Sequence, residues 1–184
     1  DSQDNQEYTN SRLKRGNDMT TQTTSIRIYV ASLADYNAGR LHGAWIDATQ
    51  DADDMQEEVN KMLAESKEPI AEEWAIHDYE GFQGLKLGEW ESFDKVSEWA
   101  TAIAEHGEAY ALWADESGAS EVEQFNDAYR GHWDTMADFA EEWYEESVPA
   151  KDGYLMQFID WERVGREMEH GDFYSINGHV FYRS

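Results

Sequence analysis

Residues 26–47 read IRIYVASLADYNAGRLHGAWID. Ile26, Ile28 and Val30 alternate with Arg27 and Tyr29, the two-residue period of a strand with one buried face. LADYNAG follows, with Asn37 and Gly39 as turn residues, and RLHGAWID (40–47) reads as a second strand. Two strands on a short connection predict the start of a sheet. DADDMQEEVNKML (51–63) then sets Met55, Val59, Met62 and Leu63 on one helical face, with acids in the first turn, where the helix dipole favours them. EEWAIHDYE (72–80) reads as a third strand. Glycines 81, 84 and 88 make a loop around Phe82, Leu85 and Leu87.

From Ser92 the period changes. Ser92 caps a helix carrying Val96, Trp99, Ala100 and Ile103, and Gly107 interrupts it. Tyr110, Leu112 and Trp113 continue a helical pattern to Gly118. Ser120-Glu121-Val122-Glu123 is a capping-box signature for a short helix through Phe125. Tyr129–Trp133 reads as extended. Asp134 caps the next helix, whose core stripe is Met136, Ala140 and Trp143 with Phe139 and Tyr144 flanking; Pro149 and Gly153 end it. LMQFIDWERVGREME (155–169) reads as a helix with Phe158, Ile159 and Val164 inward. DFYSINGHVFYRS (172–184) reads as a hairpin turning on Asn177-Gly178. No internal repeat is visible, and the layout is α+β.

The chain has 184 residues, 40% of them hydrophobic and 14% aromatic, and a formal net charge of −26. Acidic tails that stay disordered are poor in aromatics, so this chain has the material for a folded core. It has no cysteine, which excludes disulfides and thiolate zinc sites and fits a reducing cytoplasm, the expected location. No apolar run approaches the roughly 18 residues of a membrane span. Residues 1–24 are polar and aperiodic, without the apolar core of a signal peptide. They are expected to form a disordered extension, with Met19 a candidate natural start.

Charge is unevenly spread. Residues 1–40 balance five acids against five bases, residues 41–150 carry 29 acids against five bases, and residues 151–184 carry six against four. Between Val96 and Ala150 stand 14 acids and one base, Arg130. Such a field repels nucleic acid and membrane surfaces and attracts basic ones.

Chemical readings find little support. DADDMQEE resembles the start of a calcium loop, but counting from Asp51 puts Gln56 where an EF-hand needs Gly and Met62 where it needs Glu. The six histidines form neither HxxxH nor HExxH, and His77 beside Asp78 reads as an ordinary strand or turn residue. A carboxylate pair could serve a glycosidase, yet with 40 acids a pair occurs anywhere. No nucleophile elbow, phosphate loop or dinucleotide fingerprint is present. No enzyme, cofactor or metal is expected.

The acidic surface itself remains. DTMADFAEEWYEES (134–147) holds six carboxylates and no base, although like charges at i,i+4 each destabilise a helix by roughly 0.2–0.5 kcal/mol. Acids that merely confer solubility, or salt adaptation, would be spread over the whole chain. As a helix the segment would be about 21 Å long, with one charge per ~3.5 Å, against one phosphate per ~3.4 Å of axis on a DNA strand. The carboxylates could therefore imitate phosphates. The candidate surface comprises Glu98, Glu105, Glu108, Asp115, Glu116, Glu121, Glu123, Asp127, Asp134, Asp138, Glu141, Glu142, Glu145 and Glu146. An acidic scaffold or chaperone-like protein that binds basic nucleic-acid-binding proteins is the competing reading, and a sugar-active enzyme a third.

IRIYVASLADYNAGRLHGAWID (26–47), WAIHDYEGF (74–82), DTMADFAEEWYEE (134–146), FIDWERVGREME (158–169) and GHVF (178–181) together resemble the ArdA antirestriction proteins. The likeness is ordered along residues 26–181; the first block is long and specific. It departs from the family pattern at Trp161 and Val164-Gly165, where a Tyr and a bulky-Ala pair are expected, which bears on packing in the last unit. The resemblance implies an acidic DNA mimic carried on mobile elements. Such a protein occupies the DNA-binding cleft of type I restriction-modification enzymes, against their specificity and methyltransferase subunits, and inhibits restriction and often modification. It also implies an elongated, curved chain of three small domains that dimerises into a longer bent rod. Their expected bounds here are 25–90 (β-rich with one helix), 91–125 (helical middle) and 126–184 (helix plus β-hairpin), after the extension 1–24.

Overall fold

The computed structural model describes residues 25–145 and 150–183. The expected N-terminal extension, Glu146 and Pro149 lie outside the described residues. The fold is α+β, with helices and two separate antiparallel sheets. The chain groups into two compact units, one ending at Val122 and one beginning at Glu123.

The first unit opens with β1 (Arg27–Ser32), α1 (Leu33–Asn37), β2 (Gly43–Asp47), α2 (Ala52–Ala64) and β3 (Trp74–Glu80). β1 is the central strand of an antiparallel sheet in the order β2-β1-β3. Its alternation places Ile28 opposite Ile46 and Val30 opposite Ile76, all buried. α2 packs against β1 and β2 and buries Met55, Val59 and Met62, while Leu63 is half-buried. The connection read as a turn forms the short helix α1, and the second strand starts at Gly43 rather than Arg40.

Ser32 and Asp35 explain that change. Asp35 lies three residues after Ser32, so the Ser32 hydroxyl accepts from the Asp35 amide at 3.3 Å and donates to its carboxylate at 2.8 Å. This is the N-terminal arrangement that starts a helix. The buried Asp35 carboxylate also accepts from Ser66, beyond α2, and from Arg40, which reaches on to Glu68. The Ser66 hydroxyl, with Ser32 and Arg40, holds the Asp35 carboxyl below its ordinary value; burial opposes the shift and His42 adds to it.

α3 (Phe93–His106) and α4 (Glu108–Ser117) complete the unit. Ser92 caps α3 by accepting from the Lys95 amide, and Val96, Trp99, Ala100 and Ile103 are buried as the spacing predicts. α3 packs on α2. The Ser97 hydroxyl donates to the Gln50 carbonyl at 2.8 Å, and the Phe93 ring stacks on Trp74 with centroids 4.5 Å apart. Gly107, at φ 65°, ends α3 and opens α4. Tyr110 is fully buried in α4 and donates to the Ser120 carbonyl.

In the second unit come α5 (Val122–Ala128), β4 (Tyr129–His132), α6 (Met136–Glu145), a 3-10 segment (Ala150–Phe158), α7 (Trp161–His170), β5 (Phe173–Ile176) and β6 (His179–Tyr182). The strands pair antiparallel in the order β4-β6-β5. Asn177 and Gly178 both take positive φ, 51° and 81°, the conformation that a two-residue hairpin turn requires. Phe139, Phe173 and Val180 form a buried cluster, with Trp133, Met136 and Met168 packed on it. α7 crosses α6 so closely that a methyl group on Gly165 would sit 2.6 Å from the Met136 carbonyl oxygen.

Three expectations change here. Phe139, read as flanking, is the centre of the α6 core, whereas Trp143 is 37% exposed and touches Phe139 and Phe173 with part of its ring. The face of α6 turned to the sheet is centred one position before the expected stripe. Thr135, not Asp134, starts α6: its hydroxyl accepts from the Asp138 amide and donates to the Asp138 carboxylate. The helix expected over 155–169 begins only at Trp161, because Asp160 accepts from the Arg163 amide and caps it there. The preceding residues are 3-10, and Phe158 is 75% exposed with Ile159 also exposed, instead of both facing inward.

Two outcomes follow from this packing. Phe139→Ala should cost about 3–5 kcal/mol of stability and Trp143→Ala distinctly less, measured by denaturant unfolding; equal losses would contradict the placement of the core. Asp35 binds its proton more readily in the unfolded chain than in the fold. Its contribution is therefore full above the ordinary carboxylate range and fades as pH falls through its lowered value. Asp35→Asn should lower the melting temperature at neutral pH, and its gap from wild type should close below about pH 4.

Candidate acidic interface

Thirteen of the fourteen candidate carboxylates lie on α3, α4, α5, α6 and the turns between them. Glu98, Glu105, Glu108, Asp115, Glu116, Glu121, Glu123, Asp127, Asp134, Asp138, Glu141 and Glu145 are exposed. Glu142 is half-buried and accepts from the Trp133 indole at 2.9 Å. Glu146 lies outside the described residues.

α6 separates its two roles by face. Asp138, Glu141, Glu142 and Glu145 follow the i, i+3, i+4, i+7 spacing of one helical stripe, a band about 100° wide. Met136, Phe139, Ala140 and Trp143 occupy the opposite side, toward the sheet. From Asp138 to Glu145 the axis advances about 10.5 Å, one carboxylate per ~3.5 Å. Like charges also stand at i,i+4 in Asp94 and Glu98 on α3, and in Glu123 and Asp127 on α5.

Helix electrostatics alone would place the charges differently. Acids stabilise a helix at its N-terminus and weaken it at its C-terminus. Asp138 obeys that preference. Asp115 and Glu116 at the end of α4, Asp127 at the end of α5 and Glu145 at the end of α6 go against it, and none of these last turns carries a base. The ion pairs Arg27–Glu80, Arg40–Asp35 and Lys95–Glu91 fall before Val96, where the sequence still supplies bases. One local effect of the field is visible at Tyr110, whose hydroxyl is pushed up to about 12, first by burial and then by Glu98 and Glu121.

The exposed acids of α2, Asp53, Asp54 and Glu57, carry the same kind of charge but were absent from the expected surface. The first-turn place of Asp53 and Asp54 accounts for those two by the dipole alone. The like-charge spacings Asp53 to Glu57 and Asp54 to Glu58 were the signal that could have added them. His77 lies exposed on β3, edge-on to Tyr36 at 4.9 Å. Among the described residues no group of three or more His, Asp or Glu is placed to hold a metal ion. No described helix is long and apolar enough to cross a membrane.

A comparison with curated proteins finds no match. A family model described as antirestriction protein (ArdA) matches residues 28–182, a span that takes in both sheets and every helix of the acidic surface. This chain, with its acidic helical faces on small aromatic cores, belongs to the ArdA family of antirestriction proteins.

Proposed function

We propose that this antirestriction protein acts as a DNA mimic. Its carboxylates take the place of phosphates and occupy the DNA-binding cleft of a type I restriction-modification enzyme in the cytoplasm, blocking restriction and modification together. The observation that carries this reading is the α6 stripe, with four carboxylates at close to the axial spacing of phosphates on a DNA strand. Acids kept at helix C-termini, against the dipole, support it further. Enzymes that act on DNA draw most of their non-specific affinity from Lys and Arg contacts to phosphate, and those contacts carry no sequence information. A protein that offers the charge without the bases therefore fits enzymes with different target sequences. It inhibits by occupancy and needs neither catalysis nor a cofactor. An elongated arrangement of three domains, divided near residues 90 and 125, belongs to the same proposal.

The second part of the proposal is a homodimer joined through the near-neutral C-terminal segment, residues 151–184, with six acids against four bases, since joining two strongly acidic surfaces would be repulsive. The 3-10 segment and its end leave Tyr154, Leu155, Phe158 and Ile159 exposed, an apolar group of the kind that marks interaction surfaces.

In a gel-shift competition, the protein should displace duplex DNA from a type I restriction enzyme. Its affinity should fall steeply between about 50 and 200 mM salt; a flat salt response would reject charge mimicry. Glu141→Gln alone should weaken inhibition less than about tenfold, because one exposed ion pair contributes under about 1 kcal/mol. Changing Asp138, Glu141, Glu142 and Glu145 together to amides should weaken it far more in a protein with an unchanged circular dichroism spectrum. A single amide change that abolished inhibition would point to one specific site instead. For the dimer, light scattering at micromolar concentration should give twice the chain mass, and Phe158→Asp should halve it while reducing inhibition only in part. A wild-type monomer would reject this part of the proposal.

A further inference from the structure

The first unit contains an open groove of about 650 Å³ where the start of α2, the start of β3 and the segment leading into α3 come together. Carboxylates from all three line it: Asp53 from α2, Glu72 and Glu73 before β3, and Glu91 and Asp94 at the start of α3. Aromatic rings share the lining. Trp74 and Phe93 lie flat on one another, their planes 9° apart, and Trp90 is 68% exposed, the most exposed tryptophan among the described residues. An indole left in water forgoes a large burial gain, and solubility alone does not ask for it.

Acids and an indole face together select cations, because the ring's negative face attracts positive charge. The same unit uses that combination twice. Arg27 lies over the Trp45 ring at 4.5 Å and bonds Glu80. Lys95 lies over Trp99 at 4.3 Å, 3.6 Å from Glu91. Among the described residues, no base of the chain stands over Trp90.

We propose that this groove is a docking site for an arginine side chain presented by a basic protein partner, a proposal that rests on the reading of the protein as an inhibitor of such a partner. Arginine suits the site better than lysine: its planar guanidinium stacks on an indole and its forked N–H groups bond carboxylates two at a time. The open shape admits a side chain reaching in from a surface. Against an otherwise distributed charge array, the groove would supply one localised anchor.

The test uses tetra-arginine and tetra-lysine peptides, titrated calorimetrically into the whole protein at about 0.15 M salt. Tetra-arginine should bind wild type more tightly than tetra-lysine. Trp90→Ala should weaken tetra-arginine about three- to tenfold, and Glu72→Gln with Glu73→Gln should do the same. Glu162→Gln with Glu167→Gln removes the same charge from α7, outside the fourteen candidate carboxylates, and should change binding less than about twofold. All the altered side chains are exposed, and circular dichroism melts should match wild type. Equal affinity for the two peptides, or equal losses in the groove and α7 variants, would overturn the proposal. Restriction-inhibition titrations of the same proteins separate the two readings. A wild type that inhibits while its groove variants bind tetra-arginine normally loses only the groove. A wild type that binds tetra-arginine in the groove yet inhibits no restriction enzyme loses only DNA mimicry.

Discussion

Repulsion between carboxylates on short helices is the constraint to which the rest of this structure answers. On α6 two like-charged pairs stand at i,i+4, Asp138 with Glu142 and Glu141 with Glu145, each opposing the helix by roughly 0.2–0.5 kcal/mol. An isolated helix of ten residues is already marginal in water. What holds α6 is the other face: burial of Phe139 against Phe173 and Val180 contributes on the order of 1.5–3 kcal/mol, enough to outweigh both pairs. α3 follows the same scheme, with Val96, Trp99 and Ile103 buried beneath Asp94, Glu98 and Glu105. The high aromatic content of so acidic a chain is the counterpart of its charge.

The charge pattern also distinguishes kinds of acidic helix. In α2, Asp53 and Asp54 sit in the first turn, and Lys61 stands in the last turn, four residues after Glu57; that helix is built as helix electrostatics recommends. In α4, α5 and α6 the last turns hold acids and no base. The difference lies within one chain, so it does not come from a general acidic composition.

Much of this was legible in the residues. The strand pairs, the Ser92 cap, the Gly107 break and the Asn177-Gly178 turn follow from local chemistry that packing did not override. α1 was missed because Asn37 and Gly39 suggested a turn while the Ser32–Asp35 pair, three residues apart, went unread. The stripe of α6 was placed one position late, since helical spacing admits either Phe139 or Trp143 as its centre and only the sheet beneath decides between them. Phe158 and Ile159 look inward by hydrophobicity alone. Their exposure depends on Asp160 ending the irregular stretch and starting α7, a competition between side chain and backbone that periodicity does not weigh. Exposure of twelve of the candidate acids was legible from charge; the half-buried position of Glu142 was not, because it depends on the Trp133 indole reaching it.

Gly165 has a consequence for the charged face opposite. With no side chain there, the backbone of α7 rests directly on the carbonyl of Met136 at the start of α6. Contact between two main chains leaves no flexible side chain to act as a cushion, so α6 cannot slide or roll on α7 without collision. Its carboxylates are thus spaced by peptide geometry, on a ruler clamped at one end. A flexible polyanion of equal charge would have to order itself on meeting a partner, whereas here that loss of freedom is met once, during folding.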